Sequence, residues 1–149
     1  MKEFQDAKTV KVNPDSPQRQ VRLEVLSHGK ILLMPTPRLR SGFILLDDNV
    51  PRDRLKLASS IRGAFTLGRK VSLDRVPAID LVVVGSVAVA PDGGRIGKGE
   101  GYSEMEYGIL RELELVTEST PVITTVHESQ IVASVPLEDH DIAVDYIVT

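Results

Sequence analysis

The chain has 149 residues, no cysteine, 42% hydrophobic and 26% charged residues, and a formal net charge of −3. That length suffices for one domain with a buried core, and the missing cysteines exclude a disulfide framework, a thiolate metal site and a cysteine nucleophile. The slight negative charge argues against a dedicated nucleic-acid binder, and no apolar run reaches the roughly 18 residues that span a bilayer.

The opening Met-Lys-Glu-Phe-Gln-Asp has no apolar core of the signal-peptide kind, so the expected compartment is the cytoplasm. Lys8-Thr-Val-Lys-Val12 is rich in β formers and ends at Asn13-Pro-Asp-Ser-Pro17. Ser16 before Pro17 predicts a helix start. The helix runs to about Ser27, with Val21, Val25 and Leu26 on its apolar face, and Gly29 suits the left-handed position that ends it. Lys30-Ile-Leu-Leu-Met34 follows as a buried strand. Strand, helix and strand with short links form a βαβ unit with parallel pairing.

Pro35-Thr-Pro-Arg-Leu-Arg-Ser-Gly42 leaves the carboxyl end of that strand. Two prolines keep it extended, so Arg38 and Arg40 are either solvated loop residues or cations for an anionic ligand. Phe43-Ile-Leu-Leu46 is a short apolar strand. A helix is predicted from Pro51 to about Ala64, with Leu55, Leu57, Ala58 and Ile61 available to its buried side. From Gly68 to Ile79 the chain is polar, without a predicted element. Asp80-Leu-Val-Val-Val-Gly-Ser-Val-Ala-Val89 then reads as a central strand buried on both faces. Beyond it lies Asp92-Gly-Gly-Arg-Ile-Gly-Lys-Gly-Glu-Gly-Tyr-Ser-Glu104, and Tyr102 to Leu115 carries apolar residues near a helical period. Further strands are predicted at Pro121–Val126, Ile131–Val135 and Val144–Val148. His127 and Glu128 fall at a carboxyl end, where a lone histidine is more often a hydrogen-bonded loop residue than a catalyst. Alternating strands and helices predict a doubly wound α/β fold.

The glycine-rich segment carries the functional signal. Gly97, Gly99 and Gly101 alternate with larger residues, which lets the backbone turn tightly and point successive N–H groups inward. Arg95 and Lys98 add cations, and the following helix adds the positive end of its dipole. Such a segment is either an ordinary turn or a cradle for a polyphosphate. Its spacing matches neither the dinucleotide fingerprint nor a Walker loop.

Arg95-Ile-Gly-Lys-Gly-Glu-Gly-Tyr102 resembles the R-x-G-x-G-x-G-Y-Y-D signature of the 5-formyltetrahydrofolate cyclo-ligase family, also called methenyltetrahydrofolate synthetase. Ala7-Lys-Thr-Val-Lys-Val-Asn-Pro-Asp15, Pro35-Thr-Pro-Arg-Leu-Arg40, Val84-Gly-Ser-Val-Ala-Val89 and His140-Asp-Ile-Ala-Val-Asp145 resemble stretches of the methenyltetrahydrofolate synthetase domain-containing branch. The resemblance implies a three-layer α/β/α domain over residues 1–149 with a mainly parallel sheet, in the group of sugar-phosphate isomerases and coenzyme A transferases. It implies ATP- and magnesium-dependent conversion of 5-formyltetrahydrofolate to 5,10-methenyltetrahydrofolate. In that reaction the formyl oxygen is phosphorylated, a folate nitrogen attacks the activated carbon and phosphate leaves. No side-chain nucleophile is required, and no catalytic residue is assigned.

By the same resemblance, Arg95, Ile96, Gly97, Lys98, Gly99, Glu100, Gly101, Tyr102 and Ser103 would hold ATP. Lys98, Gly99, Glu100, Gly101 and Tyr102 would border the reduced folate or related pterin, and Glu104 and Asp141 would bind magnesium. Three departures stand out: Ser103 replaces a second tyrosine, Glu104 replaces aspartate, and Met105 replaces a residue that is often basic. Family enzymes begin with a helix whose lysine and arginine contact ATP; here the first strand begins at Lys8, so that segment is expected to be missing. The alternative is a non-catalytic nucleotide- or folate-binding paralogue with a regulatory or interaction role. In vertebrates the branch is joined to an RNA-recognition domain, whose aromatic-rich strands are absent here, which argues against nucleic acid as a partner of this chain. An isomerase reading rests on fold analogy alone.

Overall fold

The computed structural model describes residues 1–36, 42–97, 102–135 and 142–149, with backbone alone at 102 and 103. Its centre is a parallel βαβ unit made of β1 (Thr9–Val12), α2 (Arg19–Ser27) and β2 (Ile31–Pro35), preceded by a short α1 (Lys2–Asp6). Pro17 opens the 3-10 turn that leads into α2, and Gly29 takes φ +70° after it, as the sequence predicts. From β2 the chain turns back antiparallel into β3 (Phe43–Leu46) and then β4 (Arg69–Val71). On the other side of β1 lie β5 (Leu81–Val84), β8 (Val122–Thr125) and β9 (Tyr146–Val148), all parallel. The sheet order is β4-β3-β2-β1-β5-β8-β9.

Alternation along the strands sends side chains into two apolar cores. Val10, Val12, Leu32, Met34, Leu81 and Val83 face one layer, where they meet Val25 and Leu26 of α2 with Leu55, Ala58 and Ala64. Leu33, Phe43, Leu45, Val82 and Val84 face the other, against Leu110, Val116, Ile142 and Val144. The result is the expected three-layer α/β/α arrangement with a mainly parallel sheet. Among the described residues no helix is long and apolar enough to cross a membrane.

Several elements differ from the sequence prediction. The helix expected over 51–64 is two helices, α3 (Leu55–Ala58) and α4 (Ile61–Leu67), because Ser60 stops the first and caps the second. Its hydroxyl accepts from Gly63 N at 3.0 Å. The backbone at Gly63 also comes so close to Leu57 that a Cβ would overlap its carbonyl. The polar run after Gly68 is the edge strand β4, whose Arg69 and Lys70 are exposed, a charge pattern that discourages pairing with other chains. The strand expected over 80–89 leaves the main sheet at Gly85. Ala88–Val89 forms β6 in a separate two-stranded ribbon with β7 (Arg95–Ile96). The stretch 131–135 makes only a single bridge, Ile131 to Val89.

The last helix, α5, runs from Tyr102 to Glu112 rather than to Leu115. Leu115 N donates to Leu110 O at 2.9 Å, which closes the helix end, and Glu114 sits at φ 59°. Side chains pay for that conformation through contact between Cβ and the backbone. Glu114→Gly should therefore stabilise the protein by roughly 0.5–1 kcal/mol, read as a raised midpoint in urea with unchanged slope.

Arg22 of α2 is 1% exposed and fixes the turn that follows β1. Its Nη1 donates to Asn13 O at 2.7 Å and Asp15 O at 2.8 Å, and its Nε to Ser59 O at 2.8 Å. Desolvation pulls its guanidinium down to about 10, with the Asp15 carboxylate opposing; it stays charged at neutral pH. Arg22→Met should cost about 2–4 kcal/mol, since three carbonyls lose a charged donor. Chemical denaturation of the two proteins measures this.

Candidate functional site

The order of strands reverses between β1 and β5, since the chain runs outward from β1 in one direction and from β5 in the other. In open α/β sheets ligands bind at such a point, outside the carboxyl ends of the strands. Here those ends are Asn13 to Ser16, Gly85 to Val87, and Thr125 to His127. The turn after β1 and the end of β5 are in contact: a Cβ on Gly85 would lie 3.0 Å from Asp15 Oδ2. Gln18 is 2% exposed and its Oε1 accepts from Thr125 Oγ1 at 2.7 Å, which ties the start of α2 to the end of β8.

Arg95 is the organising side chain. It lies on β7, yet it turns inward and is 5% exposed. Its Nη2 donates to Gly85 O at 2.6 Å, its Nε reaches Ser86 Oγ at 3.4 Å, and its Nη1 donates to Glu104 Oε1 at 2.8 Å. Thr124 Oγ1 donates to Val84 O at 2.8 Å, so the 2.7 Å contact between Ser86 and Thr124 has Ser86 as donor. One guanidinium thus joins the end of β5, the ribbon and the first turn of α5. Gly97 fits beside it, where a Cβ would meet Arg95 Nη2 at 2.9 Å.

As far as Gly97, the route from β5 toward α5 does not run straight into a loop. It is a hairpin, β6 to β7, turned through Ala90–Gly94 and docked on the segment before β9. Gly93 has φ +94° and a Cβ there would lie 2.5 Å from Val144 O, so only glycine fits this turn. Val144 N donates back to Gly93 O at 2.9 Å.

Of the residues expected to hold ATP, Arg95, Ile96 and Gly97 enter the site's edge on β7 and just after it. Lys98, Gly99, Glu100 and Gly101 lie outside the described residues. Tyr102 and Ser103 open α5, described here by backbone alone. Glu104 is in the first helical turn, with its side chain 21% exposed and paired with Arg95. Asp141, its expected partner at a metal, lies outside the described residues, as do Arg38 and Arg40. Among the described residues no group of three acidic or histidine side chains could hold a metal ion. His127 caps the 3-10 turn Glu128–Gln130, its Nδ1 accepting from Ser129 N at 3.1 Å, which is the ordinary loop role.

Sequence reasoning missed the polar groups that build the floor: Gln18, Arg22, Ser86 and Thr124. It also missed Lys11, 1% exposed on β1, whose Nζ meets Glu106 Oε1 of α5 at 2.8 Å. The visible signal was a lysine in the middle of the apolar run Thr-Val-Lys-Val.

The model of the 5-formyltetrahydrofolate cyclo-ligase family matches residues 1–149. A methenyltetrahydrofolate synthase domain-containing protein from Bos taurus is 47% identical over 152 residues, covering 98% of this chain and 40% of the relative. The Mus musculus protein of the same name is 47% identical, covering 98% and 41%. The chain therefore spans about two fifths of the length of these relatives. A 5-formyltetrahydrofolate cyclo-ligase from Mycolicibacterium smegmatis is 29% identical over 70 residues, 47% of this chain and 33% of the relative. Among solved structures, a 5,10-methenyltetrahydrofolate synthetase from Mycoplasma pneumoniae superposes with a TM-score of 0.55 at 15% identity, covering 96% of this chain and 73% of that one. That likeness bears on the fold alone, and it agrees with the layers and sheet described above. With a family model spanning every residue, the chain belongs to the 5-formyltetrahydrofolate cyclo-ligase family.

Proposed function

We propose that this chain binds ATP and a reduced folate at the carboxyl ends of β1, β5 and β8, and acts as a 5-formyltetrahydrofolate cyclo-ligase of low turnover. The observation that carries the reading is the meeting of the motif's buried arginine with the end of β5 and the start of α5 at this switch point. Arg95 does not face outward as a free cation. It holds Glu104, Gly85 O and Ser86 in place, so its part is to shape the segment whose N–H groups receive phosphates. We assign the phosphates to Lys98, the motif's other cation by sequence.

Glu104 fits magnesium as a hard oxygen donor. Arg95 takes one carboxylate oxygen and limits the side chain's freedom, and the other oxygen has no partner among the described residues. Magnesium usually takes one or two carboxylates with phosphates and water, so Glu104 with Asp141 would suffice. When bound, the ion would neutralise charge between phosphates during transfer. The chain's own work is positioning, which suits a reaction without a side-chain nucleophile.

Low turnover follows from Ser103, which removes one aromatic wall from the folate side, and from a longer acidic side chain at 104. A misplacement of about 1 Å can cost roughly a hundredfold in rate. A non-catalytic binder is the second reading. It is favoured by the same inward commitment of Arg95, which withdraws one cation from the phosphates.

Lys98→Ala should weaken ATP binding by roughly 1–3 kcal/mol, the range for a charge-assisted contact; equal affinities in calorimetry would oppose the assignment. Glu104→Gln should weaken ATP binding with magnesium present and leave binding without magnesium nearly unchanged. In a spectroscopic assay with 5-formyltetrahydrofolate, ATP and magnesium, methenyl product should form well below the common enzyme rate of about 10 s⁻¹. Binding without any product would establish the second reading, and ordinary enzyme rates would refute the argument from Ser103 and Glu104.

A further inference from the structure

Among the described residues, two close ion pairs, both at 2.8 Å, tie the first turns of α5 to β7 and β1. Arg95–Glu104 lies within the site already described. Lys11–Glu106 lies deeper, with side chains 1% and 6% exposed. Lys11 is the third residue of β1, between Leu33 of β2 and Val82 of β5 in the sheet. Its Nζ donates to Glu106 Oε1 at 2.8 Å and to Asn13 Oδ1 at 3.4 Å. Leu33, Val82, Val84 and Leu110 belong to the core on this face.

A buried ion pair in such a place is weak as a source of stability, because desolvation offsets the attraction, and an apolar pair of similar volume often serves as well. What it supplies is a single permitted alignment. Sliding α5 by one residue would turn Glu106 by about 100° away from the sheet and leave both charges buried without a partner. Leucines and valines impose no such penalty, since one apolar contact replaces another.

We propose that Lys11 and Glu106 are positioning residues that lock the register of α5 against β1, and so fix where the glycine-rich segment ends beside the carboxyl ends of β1 and β5. Glu106 is the fifth residue of α5, a little over one turn from its start, so the lock acts close to the loop. Asn13, the second acceptor of Lys11, lies just past the end of β1, so the same ammonium also ties the turn on the opposite side of the switch point. The functional half of this inference rests on the reading of the segment as a nucleotide loop; the register lock itself does not.

The test compares wild type with Lys11→Met/Glu106→Leu by thermal unfolding, amide hydrogen exchange over 104–108 and ATP calorimetry. The double variant should keep a similar melting temperature, while exchange in the first turns of α5 rises by about tenfold or more and ATP affinity falls by about tenfold or more. Glu106→Gln, which keeps an acceptor for Lys11, should restore part of the protection. Unchanged exchange would overturn the lock, whatever happens to affinity. Raised exchange with unchanged ATP affinity would overturn its service to the site. Should wild type bind no ATP, the proposed function fails while the exchange data still decide the lock. If neither variant folds, the pair is a requirement of folding and the positioning role is wrong.

Discussion

The buried guanidinium of Arg95 is the constraint on which the candidate site depends. A charge at this depth is tolerable only with its donors occupied, and its three partners come from two separate places, the connection after β5 and the first turn of α5. Gly85 supplies a carbonyl at the end of β5, Ser86 a hydroxyl where the chain leaves the sheet, and Glu104 a carboxylate at the start of α5. These partners are spread along the chain from 85 to 104, and Arg95 sits at the midpoint of that span. Satisfying one cation therefore folds the whole connection back on itself and places the start of α5 over the end of β5.

The surrounding polar groups extend that order. The Ser86 hydroxyl donates to Thr124 Oγ1, and the Thr124 hydroxyl donates to the carbonyl of Val84, so the ends of β5 and β8 are linked without an unpaired hydroxyl. Gln130 donates to Ser86 O at 2.9 Å and holds the same corner from outside. On the other side of the switch point Arg22 gathers the carbonyls of Asn13 and Asp15. No buried side-chain nitrogen or oxygen among the described residues lacks a partner. A floor built in this way is satisfied internally and leaves no buried polar side chain dependent on a ligand.

Two glycines have a similar purpose in different places. Gly93 takes a left-handed turn pressed against Val144, and Gly85 lets the turn after β1 approach β5. Both are close-approach positions where the absence of a side chain matters more than freedom of the backbone. Neither was distinguishable in the sequence from the glycines of the loop that follows, because a contact with Val144 or Asp15 lies far along the chain.

Local signals were enough for the frame. The apolar run Leu81–Val84 reads as a strand buried on both faces and the β-branched run Val122–Thr125 as another strand, and Ser16-Pro17 with Gly29 brackets a helix by capping and backbone geometry that act within a few residues. Those facts lead to a parallel βαβ core, and the glycine-rich motif points to the family. Tertiary structure alone decided the rest. Arg69-Lys-Val71 is polar and becomes a strand because β3 offers an edge. Asp80 to Val89 reads as one strand and splits where the carbonyls of Gly85 and Ser86 accept from Arg95 and Gln130 instead of a neighbouring strand. Lys11 and Arg22 would pass for solvated charges by sequence and Arg95 for a cation facing a ligand, yet all three are buried. Their acceptors lie as much as 95 residues away, as with Lys11 and Glu106. A charge becomes an internal fastener only when folding brings its partner to it, and no local pattern encodes that meeting.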